Sequence, residues 1–371
     1  MMENQVFWCS SCLNMSTRNR ISFNEKGQCN ACTWSEEKKT FDWEKRKKEL
    51  KSNLEKYDAF RKNGYGVIVA VSGGKDGSYV AYKLREEYNI NPLCVTVRPP
   101  LELEIGQTNV VNFINSGFNH IHVTPDQEAM RALDKYGFIE MGFPYYGWLI
   151  SIHTVIWHLA VMFGIKLIFY SEDGEVEYGG STEKKNISTY DMSYQRDIYL
   201  ESGYEQVLRK VNLPASKLFM FNFPKVEDCE GKVVTHWSYY EPWDSYRNYL
   251  VAKEHCGLIE PEETNTGTFT NFAQNDQALY SLHAYLMYLK FGFGRGTQDA
   301  GIEIRRGAMT RDQAINLVKL YDNNYPENFL DLYLDYYEMN AQEFNKVIDK
   351  WVNRDLFEKK KGRWMPKFSI I

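Results

Sequence analysis

Basic charge is what this chain has least of. Its 44 Lys and Arg stand against 49 Asp and Glu, a net charge of −5. Proteins that grip duplexes or tRNA draw most of their affinity from a basic face that releases counterions, so no nucleic-acid partner is expected. The basic stretch from Lys38 to Lys62 is interleaved with Glu44, Glu49, Glu55 and Asp58 and reads as a solvated helix face. Cysteine is scarce beyond residue 32: only Cys94, Cys229 and Cys256 remain, scattered in a way that suits a reducing compartment without disulfides. No basic segment followed by an apolar core opens the sequence. The one long uncharged apolar stretch, Tyr145 to Ile165, is interrupted by Ser151, His153, Thr154 and His158. It reads as a buried helix with core histidines, not as a membrane span. A soluble, cytoplasmic protein without a membrane partner is expected. Internal repeats and low-complexity linkers are also absent, and 371 residues allow one large domain with additions.

What is present begins with cysteine. Cys9 and Cys12 form one C-x-x-C pair and Cys29 and Cys32 another, sixteen residues apart. Two such turns can offer four thiolates to one tetrahedral ion, which is the pattern of a structural zinc ribbon. Four cysteines can equally ligate an iron–sulfur cluster, although so short a ribbon has little apolar material to shield one. Aromatic residues are abundant, with 26 Tyr and 21 Phe. That abundance fits either stacking pockets or a codon bias.

From residue 63 the pattern becomes α/β. Apolar runs at 66–71, 92–97, 120–124, 166–170 and 218–223 read as strands separated by helical segments, predicting a parallel sheet with helices on both faces. The expected division is a zinc ribbon over 1–40, a connecting helix over 41–62, an α/β domain over 63–225 and a mostly helical region over 226–371. Within the last region, 275–292 reads as a helix and 293–309 as a glycine-rich loop. Thr310 and Gln313 then stand at capping-box spacing.

The first strand runs into Ser72-Gly73-Gly74-Lys75-Asp76-Gly77-Ser78 and then a helix. Such a loop offers free backbone N–H groups and the positive helix end to an anion, and glycines let the backbone come close. No Walker A sequence aligns here. The dinucleotide fingerprint is missing as well, and Arg98 and Pro99, not an acidic residue, follow the second strand. After the fourth strand, "SEDGEVEYGG" (171–180) supplies Glu172, Asp173, Glu175 and Glu177 where ligands bind in open α/β sheets. These carboxylates can hold Mg²⁺ or take a proton, or they can simply form an acidic surface turn. Arg295, flanked by Gly294 and Gly296, and Arg305 are candidates to grip an anionic substrate group.

The glycine loop resembles the S-G-G-x-D-S pyrophosphate loop (PP-loop) of the ATP pyrophosphatase superfamily. The chain as a whole resembles the N-acetyl sugar amidotransferases of lipopolysaccharide and flagellar-glycan biosynthesis, through the ribbon, the PP-loop, residues 171–180 and residues 290–315. The fold this implies is that of the PP-loop, adenine nucleotide alpha hydrolase-like proteins. The activity it implies is conversion of a sugar's acetamido group to acetamidino, by ATP-dependent adenylation of the amide oxygen and displacement of AMP by ammonia. In that reading Ser72, Gly73, Gly74, Lys75, Asp76, Gly77, Ser78, Thr96 and Val97 bind ATP, the last two at the adenine edge. Asp76, Glu172 and Glu175 are catalytic, Glu177, Arg295 and Arg305 hold the sugar substrate, and Cys9, Cys12, Cys29 and Cys32 bind zinc. The cofactors are ATP, Mg²⁺ and structural Zn²⁺. Gly77 stands where the superfamily has serine, so a Gly77→Ser exchange is expected to be tolerated or to improve activity, unless Ser78 already supplies the hydroxyl. No cysteine lies in a glutaminase-like motif, so a separate glutaminase subunit is expected as partner, with an ammonia-channelling, cyclase-like subunit between them. The alternatives are a PP-loop tRNA thiolase, which needs a relay cysteine or cluster and a basic tRNA surface, and a binding protein that senses ATP.

Overall fold

The computed structural model describes residues 6–171 and 174–370. Five short strands, β1 (Val67–Ala70), β2 (Leu93–Val97), β3 (His120–Val123), β4 (Leu167–Tyr170) and β5 (Val233–His236), pair in parallel in the order β3-β2-β1-β4-β5. Before the sheet come α1 (Asn30–Lys38) and α2 (Trp43–Lys56); within it come α3 (Lys75–Tyr88), α4 (Glu104–Asn115), α5 (Gln127–Met141), α6 (Tyr146–Met162), the single turn α7 (Met192–Tyr194) and α8 (Tyr204–Lys210). After β5 follow α9 (Ser245–Cys256), α10 (Leu279–Phe291), α11 (Arg295–Arg305), α12 (Arg311–Tyr321), α13 (Leu330–Tyr337), α14 (Ala341–Trp351) and an antiparallel hairpin of β6 (Phe357–Lys360) and β7 (Arg363–Pro366).

Both faces of the central strands are covered, which is why β1, β2 and β4 are largely apolar and buried. Val67, Val69 and Phe169 pack with Leu50 and Leu54 of α2, Val80 and Leu84 of α3 and Cys256 of α9. Ile68, Val95 and Ile168 face Val155, Ile156 and Trp157 of α6 on the other side. As expected, α6 is a buried helix whose histidines have partners: His153 Nδ1 meets Gln195 Nε2 at 3.2 Å and His158 Nε2 meets the Asn222 carbonyl at 2.8 Å. Among the described residues no helix is long and apolar enough to cross a membrane.

Chain order sets where a ligand can sit. From β1 the chain adds β2 and β3 on one side, then crosses to add β4 and β5 on the other. The loops after β1 and β4 therefore diverge and leave a crevice at their carboxyl ends. Ser171 Oγ donates to the Ala70 carbonyl at 3.2 Å and Thr96 Oγ1 to the Val71 carbonyl at 2.8 Å, tying these strand ends together.

Two expectations are corrected. The run 218–223 is not a strand: Phe219–Phe221 forms a 3-10 turn, and the fifth strand is Val233–His236, so the sheet continues past residue 225. Residues 295–305 are the helix α11, not a loop. Its glycines admit a carboxylate: a Cβ on Gly294 or Gly296 would lie 2.8 or 2.7 Å from Asp322 Oδ1. Asp322 accepts from Gly294 N at 2.9 Å and Thr297 N at 3.2 Å, capping α11 from the end of α12. The capping box of Thr310 and Gln313 is present at the start of α12.

A second core joins α5 to the C-terminal helices through Phe138, Tyr333, Tyr337, Phe344 and Phe357. Beside it, buried Asp134 accepts from Gly147 N at 2.7 Å, Trp148 N at 3.2 Å and Tyr336 Oη at 2.7 Å. Burial pushes its carboxyl up to about 7, against the pull of those donors. The folded chain thus keeps a proton that the unfolded chain loses from 3.8 upward, so this group's stabilisation is complete at low pH and is lost as pH rises through 7. In urea titrations between about pH 5 and about pH 8, Asp134→Asn should make the fall in stability shallower than in the wild type. An unchanged slope would show that Asp134 is ionised throughout.

Candidate functional site

The glycine loop forms a cradle at the crevice. Gly73 has φ +74°, and a Cβ there would lie 2.5 Å from Val110 N and 2.6 Å from the Asn109 carbonyl carbon, so α4 presses directly against it. No described residue accepts from the backbone N–H groups of Gly73 to Gly77. Five donors at a helix start, over a backbone that only glycine permits, suit a phosphate. Ser72 is exposed at the mouth. Lys75 pairs with Asp76, whose Oδ1 accepts from Asn248 Nδ2 at 2.9 Å. Asn248 comes from α9, is fully buried, and carries no sequence signal.

Two loop residues point elsewhere. A Cβ on Gly77 would lie 2.9 Å from Val71 Cα and 3.0 Å from the Ala70 carbonyl oxygen. Here α3 sits closer to β1 than a serine allows. Ser78 is fully buried and its Oγ has no hydrogen-bond partner among the described residues, so its hydroxyl is turned into the interior and does not line the cradle. Thr96 is buried as well, and the Val97 carbonyl already accepts from Trp148 Nε1 at 3.3 Å.

After β4 the chain makes a 3-10 turn, Glu175–Tyr178, clamped by the N-terminal ribbon. Glu175 accepts from Arg20 at 3.2 Å and from Ser181 N at 3.1 Å, and it lies so close over Gly180 that a Cβ there would meet its Oε2. Glu177 accepts from Trp34 Nε1 at 2.8 Å and from Lys38. Asn14 and Asn30 donate to the carbonyls of Tyr178 and Gly180 at 3.3 and 2.8 Å. The carboxylates of Glu175 and Glu177 thus hold the ribbon in place. Glu172 and Asp173 lie outside the described residues.

All four ribbon cysteines are buried, with their Sγ atoms within 4.8 Å of one another. Cys9 and Cys32 are 3.7 Å apart, as are Cys12 and Cys29. A tetrahedral ion with metal–sulfur bonds of about 2.3 Å needs sulfurs about 3.8 Å apart, so these spacings suit one ion. Hydrogen bonds from neighbouring thiols pull Cys9 and Cys29 down, Cys29 to about 6, while the same contacts push Cys12 and Cys32 up. Four thiolates this close need a cation.

Arg305, expected to face substrate, is half-buried at the end of α11, with its guanidinium turned inward beside this centre. Its Nη2 donates to the Glu177 carbonyl at 2.7 Å and its Nη1 has no partner among the described residues. Burial opposes the charge, but Cys12, Cys32, Glu177 and Cys29 outweigh it and hold the pKa above the usual guanidinium value. Arg305 therefore acts as counter-charge to the cysteine centre.

Two clefts open at this end of the sheet. The first is lined by Lys75, Tyr178, Ser245, Thr270, Phe272 and Arg295, so it brings the glycine loop and the start of α11 together. Arg295 is ion-paired with Asp299 at 2.8 Å within it. The second lies between α1, the 3-10 turn and the end of β5, with Trp34, Glu175, Lys184, Tyr190, Tyr194 and Tyr239 in its walls. Residues of one 3-10 turn reach both. The aromatic lining was invisible in sequence because its members are scattered.

Gly77→Ser should destabilise: overpacking at such a contact costs roughly 1–3 kcal/mol, read as a lower melting temperature together with weaker ATP binding. A variant as stable as wild type would mean that α3 can move away from β1.

Residues 266–369 match the family described as LPS biosynthesis protein WbpG-like, C-terminal domain. A stretch of 91 residues, 24% of the chain, is 37% identical to the uncharacterized protein MJ1599 of Methanocaldococcus jannaschii and covers 32% of that protein. Thus the match spans about a third of the length of this curated relative. The solved U34-tRNA thiolase NcsA from Methanococcus maripaludis, with its 4Fe–4S cluster, aligns over 71% of this chain and 77% of its own at 14% identity and a TM-score of 0.33. Residues 266–369 thus resemble the WbpG-like C-terminal domain of lipopolysaccharide-biosynthesis proteins, and they follow a parallel α/β unit and an N-terminal four-cysteine centre.

Proposed function

We propose that this chain is the synthetase subunit of an ATP-dependent sugar amidotransferase acting in surface-polysaccharide biosynthesis. The observation that carries the reading is the first cleft, where a glycine cradle whose N–H groups have no acceptor among the described residues meets the start of α11, the part of the chain matched to the lipopolysaccharide family. The amide oxygen of an acetamido group attacks the α-phosphorus of ATP, and the bond to the β-phosphate oxygen breaks to release pyrophosphate. Ammonia then adds to the amide carbon, loses a proton, and expels AMP together with the former amide oxygen, leaving the acetamidino group. The cradle and Lys75 would hold the departing pyrophosphate. Mg²⁺ accompanies the nucleotide as counter-ion, with Asp76 the described carboxylate beside the loop.

Ammonia is assigned to a separate glutaminase subunit through a channelling, cyclase-like partner. A glutaminase needs an activated thiolate. Burial instead pushes the Cys256 thiol up to about 11 and also raises those of Cys94 and Cys229. The same inert thiols speak against a thiolase relay, as does the net charge of −5. The ribbon centre is assigned to structural zinc, whose role when bound is to neutralise the thiolates.

Incubated with ATP, ammonia and an acetamido sugar labelled with ¹⁸O in its amide, the protein should form AMP carrying the label. Asp76→Ala should slow this by about tenfold or more. Formation of ADP, or unlabelled AMP, would overturn the reading. The protein as purified should contain about one zinc per chain and no acid-labile sulfide, and Cys29→Ser should lose metal and thermal stability together. Stoichiometric iron and sulfide would replace zinc with a cluster.

A further inference from the structure

We infer that Asn248 is a positioning residue for the glycine loop: it holds the Asp76 carboxylate in place so that Lys75 can leave it for an incoming phosphate. The inference rests on the proposed reading of that loop as a pyrophosphate cradle. Asp76, Tyr79 and Lys83 stand at i, i+3 and i+7 on α3 and so share one face. That face meets residues 241–248, which run into α9. Tyr79 Oη donates to Glu241 Oε1, Lys83 lies 3.8 Å from Glu241 Oε2, and Asn248 Nδ2 donates to Asp76 Oδ1 at 2.9 Å. Arg247 ties these contacts together. Its Nη2 donates to Glu241 Oε1 at 3.0 Å and to Asn248 Oδ1 at 3.2 Å, and its guanidinium lies over the Tyr79 ring. With its oxygen turned to Arg247, the Asn248 amide presents its N–H side to Asp76.

Attachment of α9 to α3 does not depend on this amide. Tyr82 stacks on His255 at 4.4 Å, Tyr79 meets Trp243 edge-on, and Cys256 packs among Val80 and Leu84. Among the described residues the Asp76 carboxylate has two partners, Asn248 on Oδ1 and Lys75 on Oδ2. The ion pair is largely shielded, with the Lys75 side chain 14% exposed and that of Asp76 22%. Lys75 is the one side-chain cation between Ser72 and Ser78, so an anion in the cradle draws it away from Asp76. Asp76 is then a shielded carboxylate beside a polyanion, and Asn248 is the partner that remains. It keeps the carboxylate turned toward α9 instead of following the lysine. Without Asn248 the free protein still has Lys75 on Asp76, whereas the bound protein has neither. The loss therefore falls on the bound state and weakens anion binding.

The test is calorimetric titration of full-length protein with inorganic pyrophosphate, without divalent metal, so that Lys75 is the cation at issue. Asn248→Ala should weaken pyrophosphate about tenfold. Asn248→Asp keeps the size of the side chain and an acceptor for Arg247 but loses the donor, and it should weaken binding at least as much. In a Lys75→Met background no lysine leaves on binding, so Asn248→Ala should cost less than about twofold there and the two losses should not add. A merely structural amide would give additive losses, or wild-type affinity in Asn248→Asp; either result overturns the inference. Non-additive losses without AMP formation from ATP and an acetamido sugar would keep the positioning role and overturn the amidotransferase chemistry. Sugar-dependent AMP formation with additive losses would do the reverse. A wild type that binds no pyrophosphate would overturn the cradle and the positioning role together.

Discussion

Four thiols buried within 4.8 Å of one another cannot all ionise without a cation between them, and the functional end of the molecule is built around that requirement. With the centre formed, α1 starts at a fixed point and places Trp34 and Lys38 against Glu177, while Asn14 and Asn30 hold the carbonyls of Tyr178 and Gly180. On the far side the half-buried Arg305 donates to the Glu177 carbonyl from α11. A turn that would otherwise be an exposed loop after a strand is therefore gripped from both directions. The cysteines lie outside both clefts and act by fixing this wall.

The same constraint links parts of the chain that are far apart in sequence. Leu13 of the ribbon packs with Ala300, Ala314 and Val318, and Thr17 donates to the Phe291 carbonyl, so the N-terminus rests on α10 to α12. From there α11 begins at Gly294, capped by Asp322, and presents Arg295 to the cleft shared with Lys75. The Glu102–Gln277 bridge joins the C-terminal region to the loop after β2. A cleft assembled in this way is composite: neither the glycine loop nor the region of family resemblance holds it alone.

Much of this was legible in the residues, and the failures have physical causes. The glycine loop and the C-x-x-C pairs could be read because their chemistry lies in local spacing, which the backbone cannot alter. The segment 293–309 was misread because Gly294, Gly296 and Gly301 are poor helix formers. The cost of Gly294 and Gly296 is offset by Asp322, which needs the space a Cβ would fill and lies on a distant part of the chain, at the end of α12. The run at 218–223 is apolar because Phe221 packs against Ala129, Met130 and Ile150, not because it lies in the sheet. The true fifth strand, with Thr235 and His236, is too short and polar to stand out. Glu177 and Arg305 looked like ligands for substrate because charged residues near a strand end usually are. In three dimensions Arg305 donates to the Glu177 carbonyl, while the Glu177 carboxylate accepts from Trp34 and Lys38.

Gly77 shows how such a site can depart from a motif without losing its logic. A serine in this position contributes a hydroxyl, but it also requires α3 to stand off from β1. Here the helix is drawn in, with Val71 Cα only 2.9 Å from where a Cβ would be. Asn248 and Lys75 then fix Asp76 from outside the loop. The backbone donors of Gly73 to Gly77 meet no acceptor among the described residues, and they depend on the loop's path and not on the side chain at 77. Anion binding can thus persist through a change in the side chain, whereas that change cannot be reversed without repacking the helix on the strand.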